Sequence, residues 1–254
     1  MNPQHIELVK STVPVLRENG VALTSYFYQR MLKTHPELNN VFNLDHQSTG
    51  RQPRALAAAV LAYAENIENP SVLAKAVEHI TTKHVSLDIQ PEQYNIVGEN
   101  LLHSISEVLD VPMDSDLIAA WKEAYFQLAE ILIGVEKQKY ENLAAQHGGW
   151  AGWRTFVISN IEENENGKRF TLKAQDDQSI VTAEAGSFIS VKVAVPNQAL
   201  QQPQQFSFSE AQNNLVYTFD VKPEENGTAF SVANILLNQY KAGDVVQVSA
   251  PLKR

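Results

Sequence analysis

Apolar residues recur at helical spacing through the first part of this chain and at strand spacing through the rest, and the change falls at Gly148-Gly149. Ile6, Val9, Val13 and Leu16 form a first stripe, and Pro14 inside it predicts a kink. A second helix is expected over 20–34, ending near His35-Pro36. A third is expected over 51–66, with Leu56, Ala59, Val60 and Tyr63 on one face. Ser71 is placed to cap a fourth helix that closes at His84, and Pro91 to open a fifth. Asp114 or Ser115 can open a long last helix that runs to about Ala145.

After Gly149 the period shortens. Strands are expected around Phe156-Val157-Ile158, Arg169-Phe170-Thr171-Leu172, Phe188-Ile189-Ser190-Val191, Phe206-Ser207-Phe208, Val216-Tyr217-Thr218-Phe219 and 245–250. Turn formers such as ENG at 165–167 separate them, the Gln-rich stretch 198–205 reads as a loop, and Ser231 can cap a short helix over 232–237. Six short strands in this span predict a small closed β-barrel. Two domains follow, 1–147 all-helical and 151–254 antiparallel β.

Composition narrows the chemistry. With 44% hydrophobic and 19% charged residues, each half can bury a core. The net charge of −9, without any block of Lys or Arg, argues against a nucleic-acid partner. There is no cysteine, which removes disulfides, thiolate nucleophiles and cysteine-held metal clusters together. The N-terminus lacks a signal pattern and no segment reaches membrane-spanning length, so a cytoplasmic location with no membrane partner is expected.

Seven histidines remain as candidate ligands. His5, His35, His46 and His147 fall at or beyond predicted helix ends, and His79 and His103 sit among polar neighbours. His84 ends its predicted helix, downstream of an aromatic in a corner, Phe42, and of a helix that starts at Arg51-Gln52-Pro53. Gln52 and Leu56 are spaced i, i+4 and share a face. Taken singly, Tyr28 and Tyr94 read equally as ordinary half-buried tyrosines and Glu136 as an exposed neighbour of Lys137. Phe42 and Leu56 are apolar core under either reading.

Several segments together carry a resemblance: YFYQRM at 26–31, PEL at 36–38, FN at 42–43, YAENIEN at 63–69, KH at 83–84, PEQYNIVG at 91–98 and GGW at 148–150. In this combination residues 1–150 resemble the globin domain of bacterial flavohaemoglobins, and residues 151–254 the flavin-binding barrel of the same family. The resemblance implies an all-α globin that binds haem b, followed by a small antiparallel β-barrel of the ferredoxin-reductase type. It also implies roles: His84 as the proximal iron ligand, and Tyr94 and Glu136 as a relay to its other ring nitrogen. Tyr28 and Gln52 would donate hydrogen bonds to the O2 ligand, Leu56 would limit access, Phe42 would pack on the haem face and Lys83 would flank the ligand. A carboxylate that accepts the second imidazole N–H makes the ring a stronger electron donor, which favours O–O activation over reversible O2 binding.

The second half departs from the family pattern. QQFS at 204–207 stands where the family has Arg-x-Tyr-Ser, so the arginine that pairs with the flavin phosphate and a tyrosine hydroxyl are both missing. AGSF at 185–188, ending in Phe188, replaces Pro-Gly-x-Tyr. EENGT at 224–228, continuing to Ser231, keeps a loop-to-helix form that offers backbone N–H groups to a phosphate. FAD on Phe188, Gln204, Gln205, Phe206 and Ser207, and a barrel kept for packing or docking, both stay open.

No glycine-rich nucleotide fingerprint occurs in this sequence. The leading expectation, from the Tyr28/Gln52 pair and the Tyr94–Glu136 relay that the resemblance implies, is nitric oxide dioxygenation, NO and O2 to nitrate, with electrons from an external reductase. The alternative is a non-enzymatic O2 or NO binder, or a gas sensor, whose barrel is an interaction module.

Overall fold

The computed structural model describes residues 1–253, which form two compact units. The first comprises residues 1–38, 46–81 and 90–135, and the second residues 39–45, 82–89 and the chain from 136 onward. The sequence division at Gly148-Gly149 falls inside the second unit.

In the first unit α1 (Pro3–Ser11) starts where the Asn2 side chain accepts the His5 amide at 2.8 Å. The expected kink at Pro14 is instead a break. The Thr12 hydroxyl donates to the Val9 carbonyl at 2.6 Å, α1 ends, and α2 (Val13–Thr34) begins with Pro14 in its first turn. A missing N–H costs nothing there, because first-turn amides have no partner within the helix. The helix expected over 20–34 therefore starts at Val13.

The short α3 (Leu44–Ser48) leads to Gly50, whose φ of +69° opens α4 (Arg51–Glu65). Ser71 does not cap the next helix. It lies within a 3-10 turn, Pro70–Leu73, and α5 follows as Ala74–Ser86, running two residues past His84. Next comes α6 (Pro91–Leu109), opened by a capping box in which Gln90 and Gln93 satisfy each other's amides. The Ser115 hydroxyl then accepts the Ile118 amide at the start of α7 (Asp116–Ala145).

Helix α2 packs on α4 and α6 and buries Leu16, Leu23, Phe27 and Met31. A Cβ on Gly20 would lie 3.5 Å from that of Ala57, so small residues set the approach of α2 to α4. The buried Thr24 hydroxyl donates to the Pro53 carbonyl at 2.7 Å and locks the first turn of α4 onto α2. At the other end of α4 the buried Tyr63 hydroxyl donates to the Ala124 carbonyl of α7 at 2.9 Å.

In the second unit the strands are β1 (Trp153–Asn164), β2 (Gly167–Ala174), β3 (Phe188–Ala194), β4 (Gln201–Ser207), β5 (Val216–Val221) and β6 (Val245–Ser249), with α8 (Val232–Gln239) before the last. All pairs are antiparallel, in the order β4-β3-β6-β1-β2-β5. The expected closure is absent: β4 and β5 are the two edges of the sheet and no ladder joins them. Pro203 in β4 lacks an amide donor, which suits an edge strand.

The Gln-rich stretch expected as a loop is largely β4, in register with β3 from Phe188↔Ser207 to Ala194↔Gln201. A buried glutamine is tolerated there because Gln202 is fully used: its Nε2 donates to the Asn39 carbonyl at 2.7 Å and its Oε1 accepts the Leu44 amide at 2.7 Å. The core behind the sheet holds Phe156, Phe170, Ile189, Tyr217, Phe219, Val232 and Leu236.

Burial pushes the Tyr63 phenol up to about 12, from an ordinary value of 10.0 in the unfolded chain. The folded chain then holds this proton more tightly than the unfolded one. The stability this confers is complete below pH 10 and is lost as pH rises from about 10 toward about 12. Tyr63→Phe is expected to flatten that part of a plot of urea midpoint against pH; an unchanged slope would show that the alkaline loss arises elsewhere.

Candidate functional site

Three polar side chains of the first unit meet on α2, α3 and the first turn of α4. Tyr28 is buried, and its hydroxyl is hydrogen-bonded by the side chain of Gln52, with that of Gln47 beside it. Burial drives the phenol far above its ordinary range, which keeps it a proton donor at neutral pH, and the two amides pull only weakly the other way. The Phe27 ring packs edge-on against Tyr28 at 4.9 Å, and the Thr24–Pro53 bond fixes the turn that carries Gln52. Leu56 is half-buried one turn further along α4.

Gln47 is the residue that sequence reasoning missed. Its Nε2 is a buried donor that completes no hydrogen bond of good geometry among the described residues. Buried amides are rarely left so unless something else takes the proton. A single glutamine in a five-residue helix has no periodicity to announce it.

Tyr94 is also buried in this unit, on α6. Its carbonyl accepts the Tyr125 hydroxyl at 2.7 Å. That approach needs Gly98, because a Cβ there would meet the Tyr125 ring at 2.5 Å.

In the second unit His84 Nδ1 lies 2.8 Å from Glu136 Oε1. Glu136 is only 3% exposed, so it is not the solvated neighbour of Lys137 that one reading of the sequence allowed. The His84 ring is held at a partly open position, with its side chain 30% exposed. The His84 carbonyl accepts the Leu87 and Ile89 amides at 3.0 and 3.1 Å, which fixes the end of α5 around it. Lys139, one turn after Glu136, donates instead to the Thr82 hydroxyl at 3.1 Å. Burial lowers the Lys83 ammonium from its ordinary value. Phe42 is half-buried. With Nδ1 committed to a carboxylate, Nε2 is the nitrogen suited to a metal, and the carboxylate fixes the tautomer this requires. These residues therefore fit a haem.

Four of the other histidines have ordinary settings: His5 pairs with Glu123 at 2.5 Å, His35 with Glu37 at 3.1 Å, and His79 and His147 are exposed. An apolar cleft of about 420 Å³ between Tyr63, Leu73, Val77 and Leu128 holds none of the site residues.

The five candidate flavin residues are placed quite differently. Gln204 Nε2 donates to Glu224 at 3.0 Å while its Oε1 accepts the Ala233 amide at 3.2 Å. Gln205 Nε2 donates to the Ser86 hydroxyl at 2.9 Å. Phe206 packs into the core with its ring 5.0 Å from that of Phe219, Phe188 is 1% exposed, and Ser207 faces solvent.

Comparison with known proteins now gives the class. Residues 25–132 match the globin family model. A bacterial globin from Campylobacter jejuni is 38% identical, with a TM-score of 0.53, and 55% of this chain covers 99% of it. The chain belongs to the globins, and haem is the cofactor of its globin half. It is also similar to flavohaemoproteins: a flavohaemoprotein of Chromobacterium violaceum is 45% identical over 99% of this chain and 63% of its own length. The chain thus spans less than two thirds of that relative. A flavohaemoglobin from Malassezia yamatoensis, solved with bound FAD and haem, shares the fold at a TM-score of 0.84, with 24% identity, over all of this chain and 64% of its own.

Gly98→Ala is expected to lower stability by about 1–3 kcal/mol, the usual result of forcing a methyl into a packed interface. Urea unfolding measures it. A neutral result would mean that the Tyr125 ring shifts freely, and that Tyr94 is not held in place by it.

Proposed function

We propose that the globin half of this chain converts nitric oxide and O2 to nitrate, with His84 as the haem ligand. The observation that carries the proposal is the His84–Glu136 pair. Haem supplies the iron at which O2 is bound and activated. Glu136 accepts the Nδ1 proton of His84, holds Nε2 in its metal-binding tautomer and makes the ring a stronger donor. That favours oxygen activation over simple storage.

Tyr28, kept protonated by burial, would donate a hydrogen bond to O2. Gln52 orients the phenol, and the unsatisfied Nε2 of Gln47 adds a second donor. By the family pattern Leu56 would limit access, Phe42 would pack on the haem face, Tyr94 would join Glu136 in the relay to His84, and Lys83 would flank the ligand.

The overall change, NO plus O2 plus one electron to nitrate, consumes one electron per turnover. We assign its source to a reductase acting in trans, because Gln204 and Phe206 carry neither the charge nor the hydroxyl of the family's flavin motif. A gas-sensing role is the second reading, favoured by the Gln205–Ser86 bond, which ties β4 to α5 two residues past His84. It predicts slower amide exchange in β4 when O2 or carbon monoxide is added.

Stopped-flow mixing of the reduced, O2-equilibrated protein with nitric oxide is expected to give ferric haem rapidly with stoichiometric nitrate. Displacement of O2 without nitrate would overturn the dioxygenase reading. Glu136→Gln keeps the shape and removes the charge. It is expected to lower turnover by about 10–100-fold, the usual effect of losing such a partner, and to lower the iron–imidazole stretching frequency while haem content stays unchanged. An unaltered frequency would remove Glu136 from the mechanism.

A further inference from the structure

FAD needs donors for its pyrophosphate and an accessible aromatic surface with hydrogen-bonding groups for its ring. The loop before α8 is where the sequence keeps the form of a phosphate site, and the structure shows where its donors go. Glu224 sits in the mouth of the α8 N-terminus. One carboxylate oxygen accepts from Gln204 Nε2 at 3.0 Å and the other from the Ser231 hydroxyl at 2.7 Å. Its backbone is clamped by Asn234, which accepts the Glu224 amide at 2.9 Å and donates to the Glu224 carbonyl at 2.9 Å.

Several amides of the loop and the first turn are taken as well. That of Thr228 donates to Asp45 Oδ1 at 2.6 Å, that of Ala233 to Gln204 Oε1 at 3.2 Å and that of Asn234 to the Ser231 hydroxyl at 3.2 Å. A helix N-terminus favours an anion. Here the chain supplies its own, and the second carboxylate on the loop, that of Asp45, is 7% exposed. Lys222, the basic residue nearest in sequence, interacts with Asp220.

The ring surface is equally committed, with Phe206 turned into the core against Phe219 and Phe188 buried. The residues present do not fit FAD. We infer that Glu224, held by Gln204 and Ser231, and Asp45, held by the Thr228 amide, close the anion cradle of this barrel from within, so that the barrel takes no flavin. An incoming pyrophosphate would have to displace two carboxylates. The inference does not depend on the nitric oxide reading, since it concerns flavin binding alone.

The test titrates the full, haem-loaded chain with FAD and follows flavin fluorescence anisotropy; extracted flavin and haem are counted on the protein as isolated. The expected result is haem with flavin near zero, and no saturation below about 1 mM FAD. Glu224→Gln removes the repelling charge, and the double variant Gln204→Arg with Glu224→Gln adds a cation. Affinity for FAD is expected to rise at least about tenfold in the first and about a hundredfold in the second, in line with tenfold for each 1.4 kcal/mol. Far-ultraviolet dichroism and the haem spectrum report whether each variant is folded. One-to-one binding to the unaltered chain at low micromolar FAD overturns the inference. So does a folded double variant with no gain, because the carboxylate then is not what excludes the ligand.

Discussion

A carboxylate buried like Glu136 must be compensated, because an unpaired charge in the interior costs several kcal/mol. Its compensation is the Nδ1–H of His84 at 2.8 Å. The pairing fixes more than the acid. It selects one tautomer of the imidazole and leaves Nε2 as the nitrogen suited to iron. It also restricts the ring at a position where the His84 carbonyl already receives two amides from the turn that ends α5. The alternative, His84 as an ordinary helix residue, leaves unexplained why an acid 52 residues away is almost completely buried against it.

The same economy of polar groups decides the fate of the β half. Gln202, Gln204 and Gln205 read as loop residues from sequence, yet each is anchored in β4 by specific partners. The family pattern has an arginine where Gln204 stands. A neutral amide can donate to Glu224 and accept from Ala233 at once, which a guanidinium, a donor only, cannot do. The substitution thus changes a group suited to holding an external anion into one that completes an internal network.

Much of the helical half was legible because periodicity and capping act locally. The start of α6 and the cap of α8 followed from Pro91 and Ser231. Pro14 was misread because a proline inside an apolar stripe fits either a kink or a new first turn; the Thr12 hydroxyl, which closes α1, decides between them. The strand at 201–207 was hidden because its burial depends on residues 39–44, more than 150 positions away, and no local pattern carries that information. Closure failed for a related reason: counting strands says nothing about whether the first and last edges meet. Of the candidate site, His84 and Gln52 were singled out by the resemblance. Gln47 was not, since only the burial of its amide marks it.

Phe206 and Tyr217 show why the β half is stable without the chemistry its relatives suggest. Tyr217 is fully buried, and its hydroxyl donates to the Val181 carbonyl at 2.6 Å. A phenol in this core is tolerated only with such a partner, because an unsatisfied hydroxyl costs about 1–3 kcal/mol. Phe206 sits in the same core against Phe219 and has no hydroxyl to satisfy. Losing that hydroxyl removes a reason for the ring to stay near a polar ligand and permits it to pack inward. The replacement of arginine by Gln204 and of tyrosine by Phe206 therefore act in one direction, each making the empty barrel a better-satisfied structure. The helical half has gone the opposite way and keeps Tyr28, Gln47, Glu136 and His84 at the cost of burying polar groups that a simple helical core would have replaced.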